Sequence, residues 1–215
     1  MNVAKIFFPA QLKYLESFRT NNNELIKEME RFAVEHNVPI VNWHAADFIE
    51  KFILIKNPDR VLEIGTAIGY STIRIAGCLS KGSIIHTIEK STDNISIALN
   101  NIEKSGLSKK IKLIEGDALN VMPQLKKKYD FIFLDADKED YKRLFDYSMI
   151  LLKKDGVIIV DNLLWQGFAA STRVPSKYNK STKHIREFNK IFMLQQNLDS
   201  MIIPIGDGLG LGIKK

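Results

Sequence analysis

VLEIGTAIGYS, residues 61–71, is the stretch that decides the fold. Apolar Val61, Leu62 and Ile64 read as a buried strand, and Gly65 turns the chain into a helix that opens near Tyr70. A strand running into a glycine-containing turn and then a helix is where α/β sheets bind ligands. Gly65 and Gly69 let the backbone approach a ligand closely, and the helix start offers free N–H groups to a carboxylate. The G-x-x-x-G spacing departs from the G-x-G-x-x-G of dinucleotide sites, so a smaller, amino-acid-bearing ligand is favoured over a pyrophosphate. A tight turn with no ligand would use the same glycines, so the motif needs support from its surroundings.

Outward from that turn, apolar runs at 60–64, 84–88, 111–114, 129–134 and 156–160 read as buried parallel strands. Helical stretches lie between them at about 70–79, 92–104, 118–126 and 139–152. The second of these has Ser91, Thr92 and Asp93 available as N-cap, an apolar face of Ile95, Ala98, Leu99 and Ile102, and Gly106 past its end. The tail, 201–205 and 209–213 around Gly206-Asp207-Gly208, reads as a closing hairpin. Upstream, residues 10–36 carry apolar residues at helical spacing, interrupted at 21–23, and residues 43–55 read as a further helix ending before Pro58. The expected fold is α/β, with seven strands in a mostly parallel sheet, a C-terminal antiparallel hairpin and extra N-terminal helices. One domain covers residues 1–215, with a helical part at 1–57 and an α/β core at 58–215.

Composition narrows the class of protein. At 215 residues, 45% hydrophobic and 26% charged, the chain has the balance of a soluble globular domain. Its apolar runs are too short to cross a bilayer, and the first 18 residues hold only a brief apolar patch with no cleavage site, so no membrane and no signal peptide are expected. The single cysteine, Cys78, excludes an internal disulfide and a cysteine-cluster metal site. A cytoplasmic protein fits these features. The net charge of +6 favours anionic partners, although lysine-rich composition alone produces the same sign.

Three strand ends carry the chemistry. Glu89 closes the second strand, 24 residues after Gly65, where an acid accepts hydrogen bonds from both hydroxyls of a ribose. Asp117, with Ala118, follows the third strand and is suited to an adenine amino group. DFIFLDADK (130–138) and VIIVDN (157–162) then place Asp135, Asp161 and Asn162 at adjacent strand ends, where they converge on one point. Three oxygen ligands with room for water and substrate suit Mg²⁺, a hard octahedral ion. Strand-end acids that merely cap loops are the bland alternative. Lys138, three residues beyond Asp135, loses its proton more readily beside a cation and is the candidate general base. His36, His44, His86 and His184 lack metal-ligand spacing, and there is no G-x-S-x-G elbow.

LEIGTAIGYS (62–71), Glu89, GDA (116–118), FLDADKEDY (133–141), VDNLLWQG (160–167) and IPIGDGLGLGIKK (203–215) together resemble the cation-dependent class I O-methyltransferases, which include the catechol and caffeoyl-CoA enzymes. The resemblance spans about residues 35–215. It implies a Rossmann-like methyltransferase fold, S-adenosylmethionine as donor and a homodimer. It also implies that Asp135, Asp161 and Asn162 are metal ligands, that Lys138 is the base, and that Val41, Glu63, Gly65, Ser71, Glu89, Asp117, Ala118 and Asp135 contact the donor. The blocks 31–41 and 62–76 look most like the bacterial tRNA 5-hydroxyuridine methyltransferases, which make 5-methoxyuridine at the wobble position. DADK stands where that subgroup carries DAAK, which keeps a small-molecule acceptor open.

The implied reaction is direct displacement, in which one of two neighbouring acceptor oxygens attacks the sulfonium methyl. Catechols present such a pair, and so does 5-hydroxyuridine. The segment 173–190, with Arg173, Lys177, Lys180, Lys183, Arg186 and Lys190 against Glu187, is read as a loop able to grip RNA phosphates, with Trp165 or Phe168 stacking on a base. It would equally hold the phosphates of a coenzyme A thioester, or form a solvated helix face. The balance of these features favours tRNA as acceptor. A nicotinamide oxidoreductase lacks its glycine turn here, and a non-catalytic RNA-binding protein is the remaining alternative.

Overall fold

The computed structural model describes residues 8–19 and 23–215. Three helices, α1 (Pro9–Glu16), α2 (Glu24–Glu35) and α3 (Trp43–Lys56), precede the sheet. Strands and helices then alternate as β1 (Arg60–Ile64), α4 (Tyr70–Cys78), β2 (Ile84–Glu89), α5 (Thr92–Lys104), β3 (Ile111–Glu115), α6 (Ala118–Val121), β4 (Tyr129–Leu134), α7 (Tyr141–Leu151) and β5 (Leu152–Val160). The chain closes with α8 (Asn179–Leu194), β6 (Leu198–Ile203) and β7 (Leu209–Lys214). The strands form one sheet in the order β3-β2-β1-β4-β5-β7-β6, parallel except where β7 pairs antiparallel with β5 and β6. This is the expected seven-stranded α/β fold.

Alternation along the strands explains the layering. Phe131, Phe133, Val157 and Ile159 pack with buried residues of α2, α3 and α4, whereas Ile132, Leu134, Ile158 and Val160 pack with α7 and α8. Strands buried on both faces are apolar without interruption, which is why these runs stand out in the sequence. The N-terminal helices are tied to the sheet by Arg74 of α4. Its guanidinium donates to Glu50 at 2.6 Å, to Asp47, and to the Tyr70 hydroxyl at 2.8 Å. The Tyr70 hydroxyl donates in turn to Glu30 of α2, at 2.6 Å.

Several expectations change. The segment read as a basic loop is for most of its length helix α8, because Thr182, Ile185, Phe188 and Phe192 bury one face against the sheet. The helix read at 118–126 is one α-turn followed by a 3-10 turn at Met122–Gln124, shortened by Pro123. β5 begins at Leu152, directly after α7, rather than at 156. At the break read at 21–23, Asn23 caps α2 through Ile26 N–H, while Asn21 and Asn22 lie outside the described residues. So do residues 1–7, which carry part of the apolar patch near the N-terminus. Among the described residues, no helix is long and apolar enough to cross a membrane.

Candidate active site

Backbone pairing continues one residue past the strand ends. Gly65 N–H donates to Ile88 O at 3.1 Å, Asp135 N–H to Ile64 O at 3.0 Å, and Asp161 N–H to Leu134 O at 3.0 Å. Gly65, Asp135 and Asp161 therefore form a row across the carboxyl ends of β1, β4 and β5. The contact between the first two is so close that a Cβ on Gly65 would sit 1.8 Å from the Asp135 carbonyl oxygen, and its φ of +99° is one that L side chains rarely adopt. A cleft of about 580 Å³ opens over this row, on the scale of a small-molecule site.

On the donor side, Val41, Gly65, Ser71, Glu89, Asp117 and Ala118 all line the cleft. The Glu89 carboxylate accepts the backbone N–H groups of Ala67 at 2.8 Å and of Lys90 and Ser91 at 2.9 Å, which fixes it at the strand end. Asp117 is held by Leu119 N–H at 2.8 Å. Two predicted residues stand behind the wall instead. Gly69 starts α4 with φ +86° and packs against Ala98 of α5. Glu63 is fully buried and accepts the Thr72 hydroxyl and, at 2.6 Å, that of Thr87. Burial pushes its carboxyl up to about 7, against the opposing pull of the Ser71, Thr72 and Thr87 hydroxyls.

On the other side, Asp135, Lys138, Asp161 and Asn162 line the same cleft. Asp161 is buried, and burial together with the facing charge of Asp135 raises its carboxyl to about 8, despite the Asn162 backbone N–H donating to Oδ1 at 2.7 Å. Lys138 Nζ donates to Asp135 Oδ1 at 3.0 Å, to Ala136 O at 3.0 Å and to the Tyr141 oxygen at 2.7 Å. Burial would lower the Lys138 pKa, but Tyr141 and Asp135 outweigh it and hold the ammonium above its ordinary value. Sequence reasoning missed Tyr141, whose hydroxyl reaches Asp161 O at 3.1 Å, and Asp207 in the β6–β7 turn. The i,i+3 spacing from Lys138 was an available signal for Tyr141.

The donor set fits a divalent cation. Among the described residues no three His, Cys, Asp or Glu side chains form a metal-holding group, so a cation here would have to be held by two carboxylates and an amide. Burial raises the carboxyls of both Asp161 and Asp207, and the negative charge of Asp135 adds to it, with Lys138 as the counter-charge. Ionised together, these three carboxylates would outweigh one ammonium, an excess of negative charge that a dication would relieve.

The family model described as O-methyltransferase matches residues 16–215. Caffeoyl-CoA O-methyltransferase 3 of Nicotiana tabacum is 32% identical over 204 residues, covering 87% of this chain and 82% of that protein. A caffeoyl-CoA O-methyltransferase-like protein of Staphylococcus aureus superposes with a TM-score of 0.89 at 32% identity, covering 96% of this chain and all of that one. An O-methyltransferase of Bacillus cereus, solved in complex with SAH, superposes with a TM-score of 0.85 at 27% identity, covering 96% of this chain and 97% of that one. With its sheet order, its glycine turn and its row of strand-end acids, the chain belongs to the family of S-adenosylmethionine-dependent O-methyltransferases.

Proposed function

We propose that this chain moves the methyl group of S-adenosylmethionine onto one hydroxyl of a small acceptor with two neighbouring oxygens, of the catechol or caffeoyl-CoA kind. Asp135, Asp161 and Asn162 hold a divalent cation, Mg²⁺ by preference for hard oxygen ligands. The observation that carries the reading is the buried Asp161 beside the half-buried Asp135, at adjacent strand ends in one row with the Gly65 turn. The caffeoyl-CoA relatives support the acceptor class. A bound dication supplies the positive charge that favours the deprotonated acceptor hydroxyl.

The chain's own residues do the rest. The 65–71 turn seats the donor's amino-acid end, and Glu89 and Asp117 orient its ribose and adenine. Placing donor and acceptor in one cleft supplies most of the rate, since a methyl transfer needs alignment more than proton chemistry. Lys138 Nζ would take the acceptor proton only as the free amine, after its own ammonium proton has gone to solvent. Its present bonds to Asp135 and Tyr141 favour the ammonium, so that role requires the charge of Asp135 to be engaged elsewhere.

The tRNA reading rests on the resemblance of the blocks 31–41 and 62–76 together with the basic 173–190 segment. There Lys180 pairs with Glu139 at 2.7 Å, Lys183 lies 4.0 Å from Glu187, and Arg186 donates to the carbonyl oxygens of Phe168, Ala169 and Ser171. Arg186 is thereby committed to the backbone, whereas the exposed Lys180 and Lys183 pairs are weak, so the balance towards the small acceptor comes from the caffeoyl-CoA relatives. A cytoplasmic homodimer completes the proposal.

The test incubates the protein with labelled donor and Mg²⁺ beside a panel of catechols, caffeoyl-CoA and a tRNA bearing 5-hydroxyuridine. Label on a small acceptor, lost with chelator and in Asp161→Ala, is the expected result. Label on the tRNA alone restores the nucleic-acid reading, and no transfer to any acceptor refutes the proposal.

A further inference from the structure

Asp207 sits in the turn between β6 and β7, outside the residues assigned above to donor or cation, yet its carboxylate reaches the same cleft. Its two oxygens have different partners. Oδ2 accepts from Asn162 Nδ2 at 3.3 Å, and Oδ1 accepts the Gln166 backbone N–H. The turn's backbone grips the same segment, with Leu163 N–H on Gly208 O and Leu164 N–H on Asp207 O, both at 2.9 Å. The approach is tight, since a Cβ on Gly208 would lie 2.8 Å from the Leu164 nitrogen.

The gripped segment is one that would not hold this shape alone. Asn162, Trp165 and Gln166 have φ values of +63°, +48° and +55°, a region that non-glycine residues occupy only when their surroundings enforce it. Asn162 also has two chemically different side-chain branches, and only its oxygen can ligate a cation. A carboxylate accepts hydrogen bonds and donates none, so Asp207 can hold only the NH₂ branch. That commits Asn162 Nδ2 to the turn and leaves its carbonyl oxygen available.

We propose that Asp207 is a positioning residue for the cation centre, selecting the amide orientation of Asn162 and pinning the strained 162–166 segment that carries it. This rests on the cation reading given under Proposed function. Partners that orient metal ligands in this way typically change metal affinity 10–100-fold when removed.

The test titrates the full-length protein with Mn²⁺ in the presence of S-adenosylhomocysteine. In Asp207→Asn the shape is kept, but the partner can now donate as well as accept, so Asn162 is free to flip. The expected result is Mn²⁺ affinity weakened about 10-fold or more, with S-adenosylhomocysteine affinity within about twofold of the parent, as befits a site left otherwise intact. In an Asn162→Asp background both branches are oxygens and no orientation needs selecting, so Asp207→Asn should cost no Mn²⁺ affinity there. An equal loss in both backgrounds, unchanged Mn²⁺ affinity in Asp207→Asn, or concurrent loss of S-adenosylhomocysteine binding overturns the proposal. A parent that binds no Mn²⁺ overturns the cation reading itself, and the inference falls with it.

Discussion

Replacing Gly65 with alanine puts a methyl carbon 1.8 Å from the Asp135 carbonyl oxygen and 2.9 Å from the carbon that bears it. Both atoms are backbone, so no side chain can swing aside. The left-handed φ of +99° costs about 1–2 kcal/mol for a residue with a Cβ. Overpacking against immovable backbone adds about 1–3 kcal/mol. The sum, about 2–5 kcal/mol, is a large share of the roughly 5–15 kcal/mol that holds an ordinary domain together. Relief of the clash must part the ends of β1 and β4, which separates the donor turn from Asp135, so S-adenosylhomocysteine affinity falls together with stability. Gly77 is the internal control. It lies in α4 with nothing within 4 Å of its would-be Cβ, so Gly77→Ala should gain about 0.5–1 kcal/mol from helix propensity alone. Urea denaturation in chelator, with calorimetric titration of S-adenosylhomocysteine, measures both variants. If Gly65→Ala unfolds within 1 kcal/mol of the parent (roughly the ordinary effect of a point substitution) and binds normally, the close approach of the two strand ends is not what builds the site.

The raised carboxyls of Asp161 and Glu63, about 8 and about 7, mean that the folded chain holds protons which the unfolded chain releases at lower pH. Their contribution to stability without divalent cations therefore falls as pH rises from the ordinary carboxylate range toward 8, and Asp161→Asn should flatten that fall. Urea midpoints at pH 5 and pH 8 with unchanged slope in Asp161→Asn would contradict it. Arg74→Met strands the carboxylates of Asp47 and Glu50 and should cost about 2–4 kcal/mol, toward the lower end of such losses because Asp47 is 43% exposed. A loss below 1 kcal/mol in the same urea assay would make the network surface decoration. Glu89→Ala should weaken S-adenosylhomocysteine binding about 10-fold or more by calorimetry, as expected for a lost charged hydrogen-bonding group, and an unchanged affinity removes the ribose role. Lys138→Met should lower kcat without altering S-adenosylhomocysteine affinity, and full activity would end its assignment as base.

The strand–helix rhythm is legible between residues 60 and 160 because parallel strands covered on both faces are written as unbroken apolar runs. The α8 helix is less so, since Lys180, Lys183, Arg186 and Lys190 are interleaved with its buried Thr182, Ile185, Phe188 and Phe192. Glu63 stands among the donor contacts through the family resemblance, and Gly69 as a glycine that lets the backbone approach a ligand. The strand's alternation turns Glu63 into the layer beneath the cleft, and Gly69 serves the packing of α4 on α5.

From its residues alone, the chain determined that Asp135, Asp161 and Asn162 end neighbouring strands beside a glycine turn, because strand period and strand ends are local properties. Only the tertiary structure decided what faces those residues. The antiparallel pairing of β7 with β5 brings Asp207, 45 residues away in sequence, onto Asn162. The packing of α7 under the strand ends sets Tyr141 between Lys138 and Asp161. The contacts of Asp207 with Asn162 and of Tyr141 with Asp161 join elements far apart in sequence, and the periodicity of a single strand or helix does not say which other element its ends will meet.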